Sequence, residues 1–536
     1  MLRATFQHLV RGISAEREAG LWKSGVLSWE EFERRHPVQR PLFQDSDTDL
    51  ESPFSAFRAA LHAADAGFFA NLLHRREHFR IPLALPDRTV FLDIETTGLS
   101  RYYDIITLVG WSYKGSYGVF IRGQDESRLH AVLQDAQVIV TFNGSLFDLP
   151  FIRARLPSLR IPSVHIDLRF LARRVALVGG QKFIECALGF ERPREVFDVL
   201  GETAPVLWHR YRRGSLEALR LLIEYNHCDV EGMKYIFDRV VARLLMEQGV
   251  PKPIRESVPY FAKPSKLVVV GGQDEWSPSA RAIRVFPYQG PSGPAITLPD
   301  LSRELRTDPL RVVGVDLSGS ENRPTGWCLL EGSQAVTRCL RTDEELIDAT
   351  FDVRPHVVSI DSPLSLPRGR ICVSDDDPGR EEFGIMRHCE RVLKRRGINV
   401  YPALIPSMQR LTARGIRLAS KFRALGIPVI ESYPGAAQDI MGIPRKRASL
   451  EMLHEGLAEF GVTGEYMTRR ATHDELDAIT AAVVGVFFWS GKFEALGAED
   501  EEALVIPDLK ADPRPWLDRR MVGISGPVAA GKTTAA

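Results

Sequence analysis

The run VFLDIETTGL, Val90–Leu99, constrains this chain more than any other segment. Thr89–Ile94 reads as an apolar β-strand, yet it carries Asp93 and, two residues on, Glu95. Side chains two apart on a strand leave the same face, so two carboxylates share one face of a segment that asks for burial. Asp148 follows the apolar run VIVTF in VIVTFNGSLFDLPFI, and Asp229 lies four residues after Tyr225 in LIEYNHCDVEG. Carboxylates gathered in one place repel one another unless a cation joins them. Hard carboxylate oxygens suit Mg²⁺ or Mn²⁺. Two such ions can clamp the attacking and the leaving oxygen of a phosphodiester.

The pattern around these acids is α/β. Ile105–Trp111 and Gly118–Ile121 read as antiparallel neighbours of the first strand, with Lys114-Gly115-Ser116 as the turn. Gln137–Phe142 is a further short strand. Helical patterns run through Arg155, over Phe170–Val175, Ser215–Asn226 and Val230–Leu245. Strands first, then a strand alternating with helices, predicts a mixed central sheet. Tyr225 and Asp229 share a helix face, which sets a phenol beside a carboxylate where it could orient a water.

These motifs resemble the DEDD 3′→5′ exonuclease superfamily, DnaQ-like, with an RNase H-like fold. The likeness is strongest to its YprB-like branch. FLDIETTGL, TFNGSLFDLPFI and YNHCDVEG are similar to that group's three motifs, and Tyr-x-x-x-Asp is similar to its tyrosine subclass. HIDLRFLARR, LGFERP and LWHRYRRG add to the likeness, which covers about residues 86–245. The resemblance implies that Asp93, Glu95, Asp148 and Asp229 hold two Mg²⁺ or Mn²⁺ ions, and that Tyr225 orients the attacking water. It also implies a nucleic-acid partner with a single-stranded 3′ end. Phe183 stands where relatives more often carry Leu, a change expected to affect packing and not chemistry. Asp167 is read as a supporting acid or a helix N-cap, and Asn143 and Thr97 as groove and loop residues. The rival reading is a catalytically inactive nucleic-acid-binding scaffold.

Residues 1–85 read as a helical region. Within it LVRGISAEREAGLWKSGV resembles half of a helix-hairpin-helix, with Gly12-Ile13-Ser14 at the turn and Ser14 as an alternative helix cap. Residues 246–309 are rich in Pro, Gly and Ser and read as a linker, with one short strand at Lys266–Val270.

A second α/β unit spans residues 310–510. Its strands Arg311–Val315, Gly326–Leu330, Val357–Ile360 and Pro428–Glu431 precede a strong helix at about His473–Trp489. GVDLSGS delivers Asp316, VVSIDSPLSLP Asp361, VIESYPG Glu431, and ATHDELDAITAA Asp474 and Asp477. With the Arg370–Arg380 loop, these motifs resemble a family of uncharacterised, predicted RNase H-like nucleases, and His473 is read as structural. GVDLSGS also resembles the first phosphate turn of a sugar-kinase or actin-like ATPase lobe, but no glycine-rich second phosphate loop follows. Both units open on an apolar strand that delivers an aspartate. This predicts two RNase H-like domains with mixed central sheets.

The final stretch, MVGISGPVAAGKTTAA, sets Gly526, Gly531, Lys532 and Thr533 in a Walker A pattern. Its glycines expose backbone N–H groups to phosphates, its lysine reaches the terminal phosphates and its threonine binds Mg²⁺. The sequence reads on for only three residues, so the segment is expected to be the truncated start of a P-loop domain.

Composition narrows the partners. Lys+Arg and Asp+Glu are both 69, so no global basic field exists and nucleic acid must be met by local patches. None of the six cysteines forms a CxxC pair, which argues against a zinc ribbon or disulfide framework. The most apolar stretch, Ala478–Trp489, falls short of the ~18–20 residues that span a bilayer. A cytoplasmic setting without membrane contact is the expectation.

Overall fold

The computed structural model describes residues 1–36, 54–193, 203–262, 266–267, 287–288, 294–303 and 309–510. The Walker A residues Gly526, Gly531, Lys532 and Thr533 lie outside them. The chain divides into two compact units, Met1–Thr96 with Ile106–Gln289, and Thr97–Ile105 with Gly290–Ala536. Each is a mixed α/β structure around one sheet. No helix among the described residues is long and apolar enough to cross a membrane.

The first sheet contains β1 (Thr89–Thr96), β2 (Ile106–Tyr113), β3 (Ser116–Ile121), β4 (Val138–Thr141), β5 (Val164–Asp167) and β6 (Lys266–Leu267), in the order β5-β4-β1-β2-β3-β6. The β1–β2–β3 meander is antiparallel, and β4 and β5 add in parallel. Lys114 and Gly115 both take positive φ, 49° and 75°, as a two-residue hairpin turn between right-twisted strands requires. One face of β1, with Phe91, packs against the helix Leu216–Glu247, and the other, with Val90, Leu92 and Ile94, forms a second core. That helix is continuous, where the sequence suggests two helices, because nothing between Asn226 and Val230 breaks it.

The N-terminal helices share the core behind β1. Residues before Gly12 form a short 3₁₀ helix at Leu2–Ala4 and turns, so no α-helix precedes Gly12 as a helix-hairpin-helix would need, and Ser14 caps the helix Ala15–Lys23 by accepting from the Arg17 N–H. Both ends of the Pro/Gly-rich stretch 246–309 pack into cores. Val250, Ile254 and Val258 join that of the first unit, and Leu298 and Leu301 that of the second. Of the strand expected at Lys266–Val270, Lys266–Leu267 pairs with β3, and residues 268–270 lie outside the described residues.

The second sheet contains β7 (Arg311–Asp316), β8 (Thr325–Glu331), β9 (Gln334–Leu340), β10 (Val357–Asp361), β11 (Val429–Ser432), β12 (Thr463–Gly464), β13 (Phe493–Leu496) and β14 (Leu504–Pro507). Its order is β12-β9-β8-β7-β10-β11-β14-β13. The run β9-β8-β7-β10-β11 repeats the arrangement β3-β2-β1-β4-β5 of the first sheet, with the same antiparallel meander and parallel additions. The helix His473–Ser490 lies directly on this sheet. A Cβ on Gly314 would meet the Ala478 carbonyl at 2.0 Å, and one on Gly326 the Asp474 carbonyl at 2.1 Å. Glycine at these two strand positions lets the helix backbone approach and brings its first turn beside Asp316.

Candidate active site and a second carboxylate cluster

In the first unit, three elements converge on the face of β1 that carries Asp93 and Glu95. Asp93 pairs with Gly110 and Glu95 with Leu108 across β1–β2, on the face that meets the long helix. From that helix come Tyr225, Asn226 and Asp229. The parallel pairing of β1 with β4 ends at Phe91, and the Ile94 N–H beyond it donates to Asp148 Oδ1 at 3.2 Å. Asp148 opens the helix Asp148–Arg155, so its carboxylate sits at the positive end of the helix dipole. Ligand oxygens of Asp93, Glu95 and Asp229 all lie within 4.8 Å of one another. Asp148 stands next to this trio through its bond to β1.

Burial and neighbouring charge govern the electrostatics of these carboxylates. Burial lifts the Asp93 carboxyl well above its usual range, and the charges of Asp148, Asp229 and Glu95 lift it further. Glu95 is raised in the same direction, first by burial and then by Asp229. Asp148 is pushed up to about 7, again chiefly by burial. Such a set is costly with protein groups alone, and its all-oxygen donors fit hard divalent ions. The residues present therefore fit Mg²⁺ or Mn²⁺.

Several neighbours were not singled out from sequence. Asn226 Nδ2 donates to Asp93 Oδ2 at 2.8 Å, while its Oδ1 accepts from the Tyr117 hydroxyl at 2.9 Å. Asn226 lies three residues before Asp229, on the same helix face, and that spacing is the signal that could have found it. Arg192 Nη2 stands 2.5 Å from Asp229 Oδ1, and its Nε donates to Glu185 at 2.7 Å. Gln181 Nε2 donates to the Asp229 backbone carbonyl at 2.7 Å. Lys182 Nζ lies 4.6 Å from the centre of the Tyr225 ring.

The supporting residues take defined places. Asp167 caps the helix Leu168–Arg173 and also accepts from the backbone N–H groups of Asn143 and Ser145, so it braces the loop that leads to Asp148. Asn143 holds a positive φ of 63° and accepts from Arg169. Thr97 donates to Asp104 within its own loop. Phe183 corrects an expectation. It is 66% exposed, so the aromatic ring there changes the surface and not the packing.

The second unit gathers its own acids. Asp316 and Asp361 are paired neighbours on β7 and β10. Burial, then Asp361, raises Asp316 well above its usual range, and burial, then Asp477, lifts Asp361 to about 8. Thr472 and Glu475 form a capping box that starts the helix His473–Ser490 beside them. Asp477 accepts from Gln438 at 2.8 Å and pairs with Lys446 at 2.6 Å. The Arg370–Arg380 loop is braced internally, with Arg370 Nε 3.2 Å from Asp377.

One reading of this cluster needs correction. Glu431 pairs with Ile360 and not with Asp361, so it points to the opposite face of the sheet. There Arg387 holds both its oxygens, at 2.7 and 2.6 Å, and the Leu364 N–H adds a third bond. The residue of β11 in line with Asp361 is Ser432. His473, read as structural, offers a ring nitrogen within 4.8 Å of oxygens from Asp316 and Asp474.

Against known proteins, residues 90–241 match the RNase_H superfamily, and residues 314–502 match a family described as a protein of unknown function (DUF429). The chain therefore carries an RNase H superfamily domain followed by a DUF429 domain. RNase H-like domains are generally nucleases that act on nucleic acid with divalent metals. No curated protein matches the chain. Among solved structures, the chain is similar to the family B DNA polymerase from the hyperthermophilic archaeon Pyrobaculum calidifontis, with 14% identity and a TM-score of 0.26. That similarity covers 79% of this chain and 54% of the polymerase, so the chain spans about half the polymerase's length.

Proposed function

We propose that the first unit is a metal-dependent 3′→5′ exonuclease of the DEDD class, tyrosine subclass and YprB-like branch, acting on single-stranded 3′ ends of nucleic acid. The observation that carries this reading is the gathering of Asp93, Glu95 and Asp229 oxygens within 4.8 Å, with Asp148 bonded to the same strand. Two bound Mg²⁺ or Mn²⁺ ions would stabilise the charge that develops on the attacking and leaving oxygens. Asp93 and Glu95 would hold them from the strand, Asp229 from the long helix and Asp148 from the start of the helix Asp148–Arg155. Tyr225, one helical turn before Asp229, would orient the attacking water by donating a hydrogen bond from its hydroxyl. Asn226 would fix the Asp93 carboxylate in place. The reading includes the division at about residues 86–245 and 310–510, a cytoplasmic setting, and a P-loop start at Gly526–Thr533, each on sequence grounds.

The Arg192–Asp229 ion pair supports a second reading, a nucleic-acid-binding scaffold in which a guanidinium replaces the cation. One experiment separates the two. Matched single-stranded DNA and RNA, labelled at the 5′ end, are incubated with the full chain in Mn²⁺ and in EDTA. The exonuclease produces a ladder shortening from the 3′ end in Mn²⁺ only, and Asp93→Ala abolishes it. Intact but retarded strands establish the scaffold, and internal cuts refute the exonuclease polarity. The faster of the two strands identifies the substrate.

A further inference from the structure

The loop that follows β1, Thr97–Ile105, is part of the second unit. It packs at the C-terminal end of the helix His388–Arg395, where the Ser100 hydroxyl donates to the Arg396 carbonyl and Arg396 Nη1 donates to the Tyr103 hydroxyl at 2.7 Å. The loop leaves Arg101 exposed, and with it the Tyr102 ring, at 59%. Along the helix itself His388, Arg391, Lys394 and Arg395 are exposed. We propose that this helix face, with Arg101 and Tyr102, binds single-stranded nucleic acid. That the bound strand is the one trimmed by the first unit rests on the exonuclease reading.

Charge points to a polyanion. Residues 388, 391 and 395 recur at helical spacing and Lys394 adjoins them, so these side chains share one face. The only acid of this helix, Glu390, is buried and bonded to Arg387. The arginines at either end of the helix are neutralised, Arg387 by Glu390 and Glu431, and Arg396 by both oxygens of Glu494 at 2.7 and 2.6 Å. Arg101, Arg391, Lys394 and Arg395 have no carboxylate partner among the described residues. Attraction to the helix dipole accounts for Lys394 and Arg395 in the last turn, but not for Arg391 or Arg101. A chain with equal totals of basic and acidic residues can meet a polyanion only through such a local face.

Tyr102 narrows the polyanion to an unpaired strand. Its ring is held in place by the Arg396 guanidinium, 4.9 Å from the ring centre, and by the Tyr103 ring at 4.8 Å. A fixed, exposed aromatic beside free cations gives an unpaired base a stacking platform and its backbone a row of charges, whereas a duplex keeps its bases stacked inside. The surface is separate from the carboxylate cluster of the second unit. Arg387, at the start of this helix, reaches Glu431 on the sheet face opposite to Asp361. The chain itself links the surface to the first unit's acids, because Arg101 follows Glu95 by six residues, a length that extends at most about 22 Å.

The test measures binding of the full chain to fluorescein-labelled oligothymidylate and oligouridylate by fluorescence anisotropy, in EDTA and over a range of salt. Arg391→Ala, Lys394→Ala and Arg395→Ala combined should weaken binding by about tenfold or more and lower the slope of log affinity against log salt by about two, since each phosphate contact on a single strand contributes about 0.7. Arg391→Lys, which keeps the charge, should bind as the wild type does. Tyr102→Ala should weaken binding by about tenfold with the slope unchanged, and Tyr102→Phe should restore it. Wild-type affinity and slope in the triple variant, a Tyr102→Phe as weak as Tyr102→Ala, or binding through these residues to phosphatidylserine vesicles but not to the strands would each overturn the proposal. Cleavage in Mn²⁺ judges the exonuclease separately: strands bound through these residues yet left intact would refute that reading and leave the surface standing.

Discussion

Asn226 ties the central strand to the long helix by donating 2.8 Å to the Asp93 carboxylate. The bond is backed by Tyr117, whose hydroxyl holds the other end of the amide at 2.9 Å. The same helix carries Tyr225 and Asp229, so one buried side chain sets the spacing between the acids of the strand and those of the helix. A carboxylate at this position would add a fifth charge to the cluster. The neutral amide supplies a donor without one.

Asn226→Ala should therefore damage both stability and cleavage. It leaves the buried Tyr117 hydroxyl and one Asp93 oxygen without their partner, at a cost of about 1–3 kcal/mol. Urea denaturation checks the first effect. Cleavage of a labelled strand should fall on the order of tenfold or more, because Asp93 is no longer held. A variant of full stability and full rate would show that Asn226 does not position Asp93.

Gly110→Ala should reproduce much of that loss from the neighbouring strand. The added Cβ would stand 1.7 Å from Asn226 Oδ1 and 2.7 Å from the Tyr117 hydroxyl, both buried and neither free to swing away. Overpacking of this kind costs roughly 1–3 kcal/mol. A crystal structure of the variant should show Asn226 displaced from Asp93. An unmoved amide with unchanged stability would contradict the close approach.

Much of this was legible in the sequence because strand periodicity and motif order are local. Asp93 and Glu95 lie on one face for the reason that their spacing is two, and Tyr225 and Asp229 on one face because theirs is four. What escaped depends on register between distant segments. Glu431 and Ser432 are adjacent in β11, and only the pairing with β10 decides which of them meets Asp361. Gly110 is needed because of Asn226, a residue more than a hundred positions away. The aromatic at Phe183 is expected from sequence to affect packing, and tertiary structure leaves it exposed.

Tyr225→Phe should lower the rate while leaving metal binding intact. Burial, then the charge of Asp229, raises the phenol above its ordinary pKa, so it stays protonated and acts as a donor rather than a base. Losing one such donor typically costs on the order of a hundredfold in rate. Mn²⁺ titration by calorimetry should give the wild-type affinity. An affinity loss equal to that of Asp229→Ala would make the tyrosine a ligand, which its chemistry does not favour.

Metal-free stability should fall as pH rises, the reverse of the usual carboxylate pattern. An acid whose folded pKa is raised binds more protons folded than unfolded, so its contribution is fully present below its ordinary pKa and is lost as pH climbs through the folded value. Asp148 moves from 3.8 to about 7, and Asp93 and Glu95 shift in the same direction. The melting temperature in EDTA should thus decline from about pH 5 to about pH 7.5, and Asp148→Asn should flatten part of that decline. Adding Mn²⁺ should restore stability most at the upper end and release protons as it binds, because the ligands must be ionised. Titrations in two buffers of different ionisation enthalpy count those protons. A metal-free melting temperature that rises across the window, or a Mn²⁺ effect indifferent to pH, would mean that these carboxylates do not form one buried, cation-seeking cluster.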